Sequence, residues 1–252
     1  MKLSVIFPVK NQSEKLIKNI NFKALPFFDS LGITYDFLIV ADASDEKNLT
    51  LLKDAIKKMP AQVHLADYED HPGKGHNVKK GFLTANGDYL LFMDADFATD
   101  LNVLKEMLKD INKYDGFIAS RHLSNSFIVN PQPLRRRFIG FCSRSLIHLK
   151  FLLPYKDTQC GFKMFRRDIA FEMAKRQIID GFAFDVEYLY FCKLNGFKVK
   201  EYPCRWFDDE DSSISSPMKA SLQFMKEMRK IKRNKKNYLL EEDTLNNLKK
   251  GD

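Results

Sequence analysis

Long apolar runs are missing from this 252-residue chain. No stretch reaches the ~18 uninterrupted apolar residues of a membrane-spanning helix, and the first residues enter a strand-like segment instead of a signal peptide. Neither a self-anchoring span nor a leader is therefore expected. Cysteine is scarce: Cys142, Cys160, Cys192 and Cys204 show no Cys-x-x-Cys spacing and no paired histidines, which indicates neither a zinc site nor a disulfide framework and fits a reducing cytoplasm. Repeats and low-complexity linkers are absent. Gly73-Lys74-Gly75 lacks the preceding Gly-x4 spacing and the following Ser or Thr of a Walker A loop, so a P-loop ATPase is disfavoured. Acidic residues are outnumbered 33 to 41 by lysine and arginine, and the net charge of +8 favours an anionic partner: nucleotide, nucleic acid or membrane surface. With 44% hydrophobic residues the chain is no disordered polymer and can bury one large core.

What is present is an alternation. Leu3 to Val9, Tyr35 to Val40, Gln62 to Leu65, Tyr89 to Met93 and Gly116 to Ser120 read as buried strands, and the first four are each followed by a polar turn and a helical pattern. Asn11 and Ser13 are possible caps for the first helix. Such alternation argues for an α/β domain with a mostly parallel central sheet and helices on both faces. Ligands of such sheets bind beyond the C-terminal strand ends, where Asn11, Asp42, Gly73 to Gly75 and the pair Asp94/Asp96 would converge. Two carboxylates one residue apart at a strand end suit Mg²⁺ or Mn²⁺ with a diphosphate, because hard cations take oxygen ligands. Their bland alternative is a cap for the next helix. Asp42 alone would be a turn residue and Lys74 alone a solvated side chain, yet together with the helix entry at Gly73-Lys74-Gly75 they outline a nucleotide diphosphate site.

After Ser120 the alternation lapses. Leu134 to Leu153 reads as a helix that opens with Arg135-Arg136-Arg137 and carries a broad apolar face, suited either to the core or to a membrane interface. Arg166 to Arg176 and the segment after Glu187 are helical, and Phe197 to Tyr202 alternates as a strand. Asp185 and Glu187 could form an acid/base or substrate pair, or simply open a helix. From Pro217 a basic amphipathic helix fits an anionic surface or a solvated face. The expected organisation is one domain over residues 1–236, with a nucleotide-binding half at 1–120, an acceptor half at 121–216 and the basic helix at 217–236. Residues 237–252 read as a polar tail.

Phe7-Pro8-Val9-Lys10-Asn11, Gly73-Lys74-Gly75, Met93-Asp94-Ala95-Asp96 with Ala98-Thr99, Ser120-Arg121, Asp157-Thr158-Gln159-Cys160-Gly161-Phe162-Lys163 and Phe182-Ala183-Phe184-Asp185-Val186-Glu187 resemble, in order, the motif blocks of GT-A family 2 glycosyltransferases. The likeness is to the polyprenyl-phosphate branch that includes dolichyl-phosphate β-glucosyltransferase and dolichyl-phosphate mannose synthase. It implies the GT-A (Rossmann-like) fold and inverting transfer of a hexose, glucose from UDP-glucose, to a polyprenyl monophosphate. Pro8, Val9, Asn11, Asp42, Lys74, Asp94 and Ala95 would meet the nucleotide-sugar. Asp94 and Asp96 would hold Mg²⁺ or Mn²⁺, whose Lewis-acid role is to neutralise the departing diphosphate. Asp96, Arg121 and Asp157 would serve catalysis, Arg121 and Arg136 the acceptor phosphate, and Gln159, Gly161 and Asp185 the acceptor or sugar. An acceptor phosphate is already anionic, so alignment and charge stabilisation could replace a strong base.

This chain departs from the pattern in places. Gln12 or Ser13 stands where the family has glutamate, Ala41 replaces the first aspartate of an Asp-Asp-Gly-Ser turn, and Ala98 sits where mannose synthases place a third metal ligand. Asp211-Ser212-Ser213 replaces a Gly-Ser-Lys loop. The anchors of many relatives are not seen, so peripheral attachment at the cytoplasmic membrane face is the expectation, with the assembly state open. One rival keeps the fold and transfers sugar to a hydroxyl, with Asp185 or Asp157 as base. A nucleic-acid-binding role is not expected, since aromatic residues do not interleave with the basic helix.

Overall fold

A computed structural model of the chain describes residues 1–129, 134–207 and 217–249. The first apolar run is β1 (Lys2–Pro8). It leads to α1 (Ser13–Asn19), which widens through a π-helical turn (Ile20–Ala24) into α2 (Leu25–Asp29). Gln12, not Asn11 or Ser13, occupies the N-cap of α1, and no side chain caps it. Next come β2 (Thr34–Val40), α3 (Glu46–Ile56), β3 (Val63–Leu65), α4 (Lys74–Thr84), β4 (Tyr89–Met93), α5 (Asn102–Lys109) and β5 (Gly116–Ser120). β1 pairs in parallel with β2 on one side and β4 on the other, and β2 continues to β3. The chain therefore winds outward from β1 in one direction and then returns to its other flank. That reversal opens a crevice at the strand ends between β1 and β4.

Beyond β5 lie β6 (Phe127–Ile128), α6 (Leu134–Phe151), β7 (Phe162–Arg166), α7 (Arg167–Arg176), α8 (Phe184–Asn195), β8 (Val199–Pro203) and β9 (Arg205–Trp206). The sheet order is β3-β2-β1-β4-β7-β5-β8, with β6 and β9 forming a separate parallel pair. β7 is antiparallel to both β4 and β5. Phe162 to Phe165 carries no clear strand signal in sequence, because one lysine interrupts a short apolar run. The antiparallel direction has a functional consequence: β7 begins where the parallel strands end, so residues 157–161 fall at the crevice.

Alternate residues of each strand feed two cores, as the period of two requires. Ile6, Phe92 and Phe165 belong to the core shared with Phe82 of α4 and Tyr188 of α8, whose rings stack at 5.5 Å. Val5, Phe7 and Leu91 belong to the opposite core, with Leu16 of α1, Phe28 of α2 and Leu104 of α5. Each fully buried side chain of this size contributes about 1.5–3 kcal/mol. On α6, Ile147 and Phe151 are buried, whereas Ile139, Phe141 and Leu149 are exposed. The helix thus combines a core face with an open apolar one.

The basic helix is α9 (Pro217–Arg233), followed by α10 (Lys235–Tyr238) and α11 (Glu242–Lys249). The stretch expected to be a polar tail is anchored in the core. Tyr238 is 1% exposed and Leu248 is buried, while the Arg166 guanidinium donates to the Leu248 carbonyl. One tyrosine and one leucine were too sparse a signal against the charged and amide residues around them.

Glu187 joins this C-terminal segment to the sheet. Its carboxyl accepts hydrogen bonds from Tyr238 Oη (2.6 Å), Ile178 N–H (2.8 Å) and Ile179 N–H (3.1 Å). Burial outweighs these three bonds and pushes its pKa up to about 7. A carboxyl raised in the folded state stabilises the fold below its unfolded pKa and loses that contribution as pH rises through the folded value. The contribution is on the order of 3 kcal/mol. Melting temperature should therefore fall between about pH 5 and pH 8 in the wild type, with a flatter profile in Glu187→Gln; parallel profiles would remove Glu187 as the titrating group.

Candidate active site

The crevice is built from the turns that leave the parallel strands. Val9 N–H donates to Val40 O (2.9 Å), which ties the ends of β1 and β2 together beside Pro8. Asn11 adopts a left-handed φ of 53°, and its side-chain carbonyl accepts Asp45 N–H at 2.9 Å. Its amide group is thus partly committed to joining two loops. Buried Asn77 bonds Val40 O at 3.1 Å and Val9 O at 3.5 Å from below. Asn19 bonds Ala95 O at 3.1 Å.

Asp42, expected beside the nucleoside, is 1% exposed. Its carboxylate takes two contacts from Lys80 Nζ (3.0 and 3.2 Å) and one from Glu69 N–H (2.9 Å). It holds the turn after β2 rigid; its sequence context did not disclose Lys80 as the partner.

Asp94 and Asp96 leave the end of β4 together. Burial first, and Asp94 second, raise the Asp96 pKa, while Ala98 N–H donates to Asp96 Oδ1 at 3.0 Å and partly offsets them. The bond to residue 98 is local and does not cap α5, which starts at Asn102. Two confined carboxylates repel, and cations gather on them. Lys74 forms an ion pair with Asp94 Oδ1. Burial disfavours the Lys74 ammonium, but Asp94, Asp185 and Asp96 outweigh it and raise its pKa. Asp185 in turn is paired with Lys163, which is 0% exposed and also donates to Cys160 O at 2.6 Å. Burial nevertheless leaves the Asp185 pKa raised. Asp96, Asp94, Lys74, Asp185 and Lys163 thus form one series of alternating charge clusters. The oxygen-only donors Asp94 and Asp96, poised by mutual repulsion, fit a hard divalent cation.

Gly161 completes this floor. Asp94 N–H donates to Gly161 O at 3.0 Å, and a Cβ at residue 161 would overlap the Asp94 carboxylate. Gly73, with φ of 147°, passes so close to the Asp180 carbonyl that no side chain fits there either.

A second group lies where β5 ends. Arg121 Nε and Nη2 donate to Asp157 Oδ2 and Oδ1 at 2.7 and 2.9 Å, and Arg121 N–H adds a third bond at 2.9 Å. Asp157 is buried, which opposes its charge, yet Arg121 holds the carboxyl well below the usual carboxylate range. Glu201 carries the Asp157 N–H at 2.9 Å, and Gln159 N–H donates to Asp157 Oδ1 at 3.2 Å. The Arg121 guanidinium also lies over Trp206, 5.3 Å from the ring centre. Arg144, on α6, is close enough that its pKa is lowered by burial first and by Arg121 as well, with Asp157 opposing. His122 is lowered by burial, again in the fields of Asp157, Arg144 and Arg121. Neither Arg144 nor Trp206 was singled out for this group from sequence, because long-range packing brings them there. The side chain of Arg136 and the segment Asp211-Ser212-Ser213 lie outside the described residues.

The family model for "Glycosyl transferase family 2" matches residues 4–172. The chain belongs to glycosyltransferase family 2. A protein of Dictyostelium discoideum named dolichyl-phosphate beta-glucosyltransferase is 30% identical to it over 244 residues, covering 91% of this chain and 73% of that protein. One of the same name from Drosophila melanogaster is 33% identical over 230 residues, covering 85% and 70%. In structure, the family 2 chain resembles Mycobacterium tuberculosis glucosyl-3-phosphoglycerate synthase, solved in complex with Mn²⁺, UDP and phosphoglyceric acid. The TM-score is 0.64 at 13% identity, over 92% of this chain and 78% of that one, which speaks for the fold. The GT-A architecture expected from the motif blocks is the one observed.

Within this family 2 site, residue 98 offers only its backbone, so Asp94 and Asp96 are the side-chain carboxylates at the end of β4. Gly161→Ala should displace the Asp94 carboxylate and lower transferase turnover by about 100-fold, the scale of a 1 Å misplacement. Circular dichroism should remain native. Undiminished turnover in a folded Gly161→Ala protein would show that the Asp94 position is not critical.

Proposed function

We propose that the chain transfers a hexose, glucose from UDP-glucose, to a polyprenyl monophosphate with inversion at the anomeric carbon. The observation that carries this reading is the Arg121 group: a guanidinium locked by a buried aspartate, with Arg144 and His122 beside it, on the strand-end surface that also bears Asp94 and Asp96. Such a group suits a phosphate, because planar guanidinium donors match phosphate oxygens. The names of the Dictyostelium and Drosophila relatives support the same acceptor class and a glucosyl product.

In this mechanism an acceptor phosphate oxygen attacks the anomeric carbon while the bond from that carbon to the UDP oxygen breaks. The products are polyprenyl phosphoglucose and UDP. Asp94 and Asp96 would hold Mg²⁺ or Mn²⁺, which supplies charge neutralisation at the diphosphate when bound. Lys74, freed from Asp94, is the chain's own cation for the same diphosphate. Arg121 and Arg144 orient the acceptor, and Asp157 positions Arg121. With its carboxyl held so low, Asp157 is a poor proton acceptor, which disfavours the rival reaction with a hydroxyl. That rival would depend on Asp185, already engaged by Lys163.

A lipid acceptor calls for membrane contact. Among the described residues no helix is long and apolar enough to cross a bilayer. The proposed contact is the outer face of α6 and α9 with Leu152 just past the end of α6; there Phe141, Leu149, Leu152 and Leu222 are 60–75% exposed. Lys232 Nζ donates to Lys150 O at 3.0 Å and so joins the two helices. Lys150 has its pKa lowered by burial and then by Arg229, Lys232 and Arg233, a concentration of positive charge suited to anionic headgroups.

The test supplies labelled UDP-glucose, GDP-mannose or UDP-GlcNAc with Mg²⁺ or Mn²⁺ and polyprenyl phosphate in anionic vesicles, followed by lipid extraction. Label from UDP-glucose should enter the organic phase, Asp96→Ala should abolish it, and Arg144→Ala should raise the acceptor KM by about 10- to 100-fold, the loss of one charged phosphate contact. Transfer only to a soluble sugar would refute the lipid acceptor. The protein should also pellet with these vesicles, and Leu149→Asp with Leu152→Asp should leave it in the supernatant.

A further inference from the structure

Apart from the Asp94/Asp96 pair, the described residues bring metal-ligating side chains together at the entrance to α4. His71 and His76 flank the Gly73-Lys74-Gly75 turn, and their rings lie 4.0 Å apart at an interplanar angle of 32°. Asp180 reaches them from the loop before α8: its Oδ2 is 3.2 Å from His71 Nε2. Ligand atoms of His71, His76 and Asp180 all fall within 4.8 Å of one another. The backbone holds this meeting in place, since Gly75 N–H and His76 N–H both donate to the Asp180 carbonyl, at 2.8 and 3.3 Å. No sequence spacing discloses the group, because its third member comes from a distant part of the chain.

His76 gives the independent sign of a missing ligand. Its Nε2 is buried and forms no hydrogen bond among the described residues. It nevertheless faces carboxylates, with Asp42 Oδ2 at 3.3 Å and Glu69 Oε2 at 3.6 Å. A buried polar atom without a partner is costly, and an ion can satisfy it. Lys80 already compensates Asp42 and Glu69, at 3.0 and 3.1 Å. Asp42 and Glu69, which His76 Nε2 faces, are thus already compensated, whereas the ion-pair partner of Asp180 among the described residues is His71.

We propose that His71, His76 and Asp180 form a binding site for a transition-metal ion of the zinc class, separate from the oxygen-only pair Asp94/Asp96. Two imidazoles and one carboxylate select Zn²⁺ over Mg²⁺, and three protein ligands leave one coordination position open. His71 and Asp180, with side chains 49% and 47% exposed, leave a path for the ion to enter. Its effect is to fasten the turn bearing Lys74 to the loop that enters α8. The site does not depend on the transferase reading.

The test titrates ZnCl₂ into the tag-free full-length protein by calorimetry, with millimolar Mg²⁺ present to occupy the carboxylate pair. One Zn²⁺ should bind per chain. His71→Ala and Asp180→Asn, both at exposed positions that leave the core intact, should each weaken binding at least about tenfold, the scale of losing a ligand or its support. His64→Ala, at an exposed histidine on β3, should change nothing. Absence of saturable binding would overturn the proposal, as would unchanged affinity in His71→Ala, which would place the ion elsewhere.

Discussion

Two carboxylates confined at the end of one buried strand set the terms for the rest of the site. Asp94 and Asp96 cannot separate, because β4 is paired on both sides and their backbone is held by Gly161 and by the turn to Ala98. Their repulsion is answered from inside by Lys74, and behind it by Asp185 and Lys163. Replacing Lys74 or Lys163 with a neutral residue would leave a neighbouring carboxylate less compensated, which is why such a series acts as a unit. In the proposed reading, the outer side of the pair receives a hard cation.

The antiparallel strand β7 gives the sheet its second polarity. A parallel strand in that position would start at the far edge of the sheet and carry Asp157 to Gly161 away from the crevice. Running the other way, β7 places Gly161 beside Asp94 and Asp157 beneath Arg121. The proposed donor and acceptor groups thus meet the two ends of one short segment. Arg121 owes its orientation to Asp157, Asp157 to Glu201, and Glu201 to β8 next to β5. The Zn²⁺ site proposed at His71, His76 and Asp180 would add a third fastening, between the Lys74 turn and the loop entering α8.

Much of this was legible in the sequence. The strands through Ser120 showed as apolar runs ending in polar turns, and the motif blocks named Asp94, Asp96, Arg121 and Asp157 with the family. What stayed hidden were partners chosen by tertiary packing. Lys163 reads as an interruption in a strand until Asp185 is seen against it. Lys80 is an ordinary helix lysine until it meets Asp42, and Arg144 looks like a break in an apolar face. Tyr238 lies in a polar stretch whose burial depends on Glu187, distant in the chain. Period and propensity report what a residue prefers, whereas these positions are decided by which buried charge or hydrogen-bonding group needs a counterpart.

In the proposed reaction Asp94 and Asp96 receive a nucleotide diphosphate through a divalent cation. Calorimetry of UDP binding with 1 mM Mn²⁺ and again in EDTA tests it directly, in the wild type and in Asp96→Ala. Mn²⁺ should tighten UDP binding to the wild type at least about tenfold, since charge-assisted contacts of this kind contribute ~1.5–3 kcal/mol, and Asp96→Ala should lose the gain. Equal affinity with and without Mn²⁺ in the wild type, or an undiminished gain in Asp96→Ala, would contradict it.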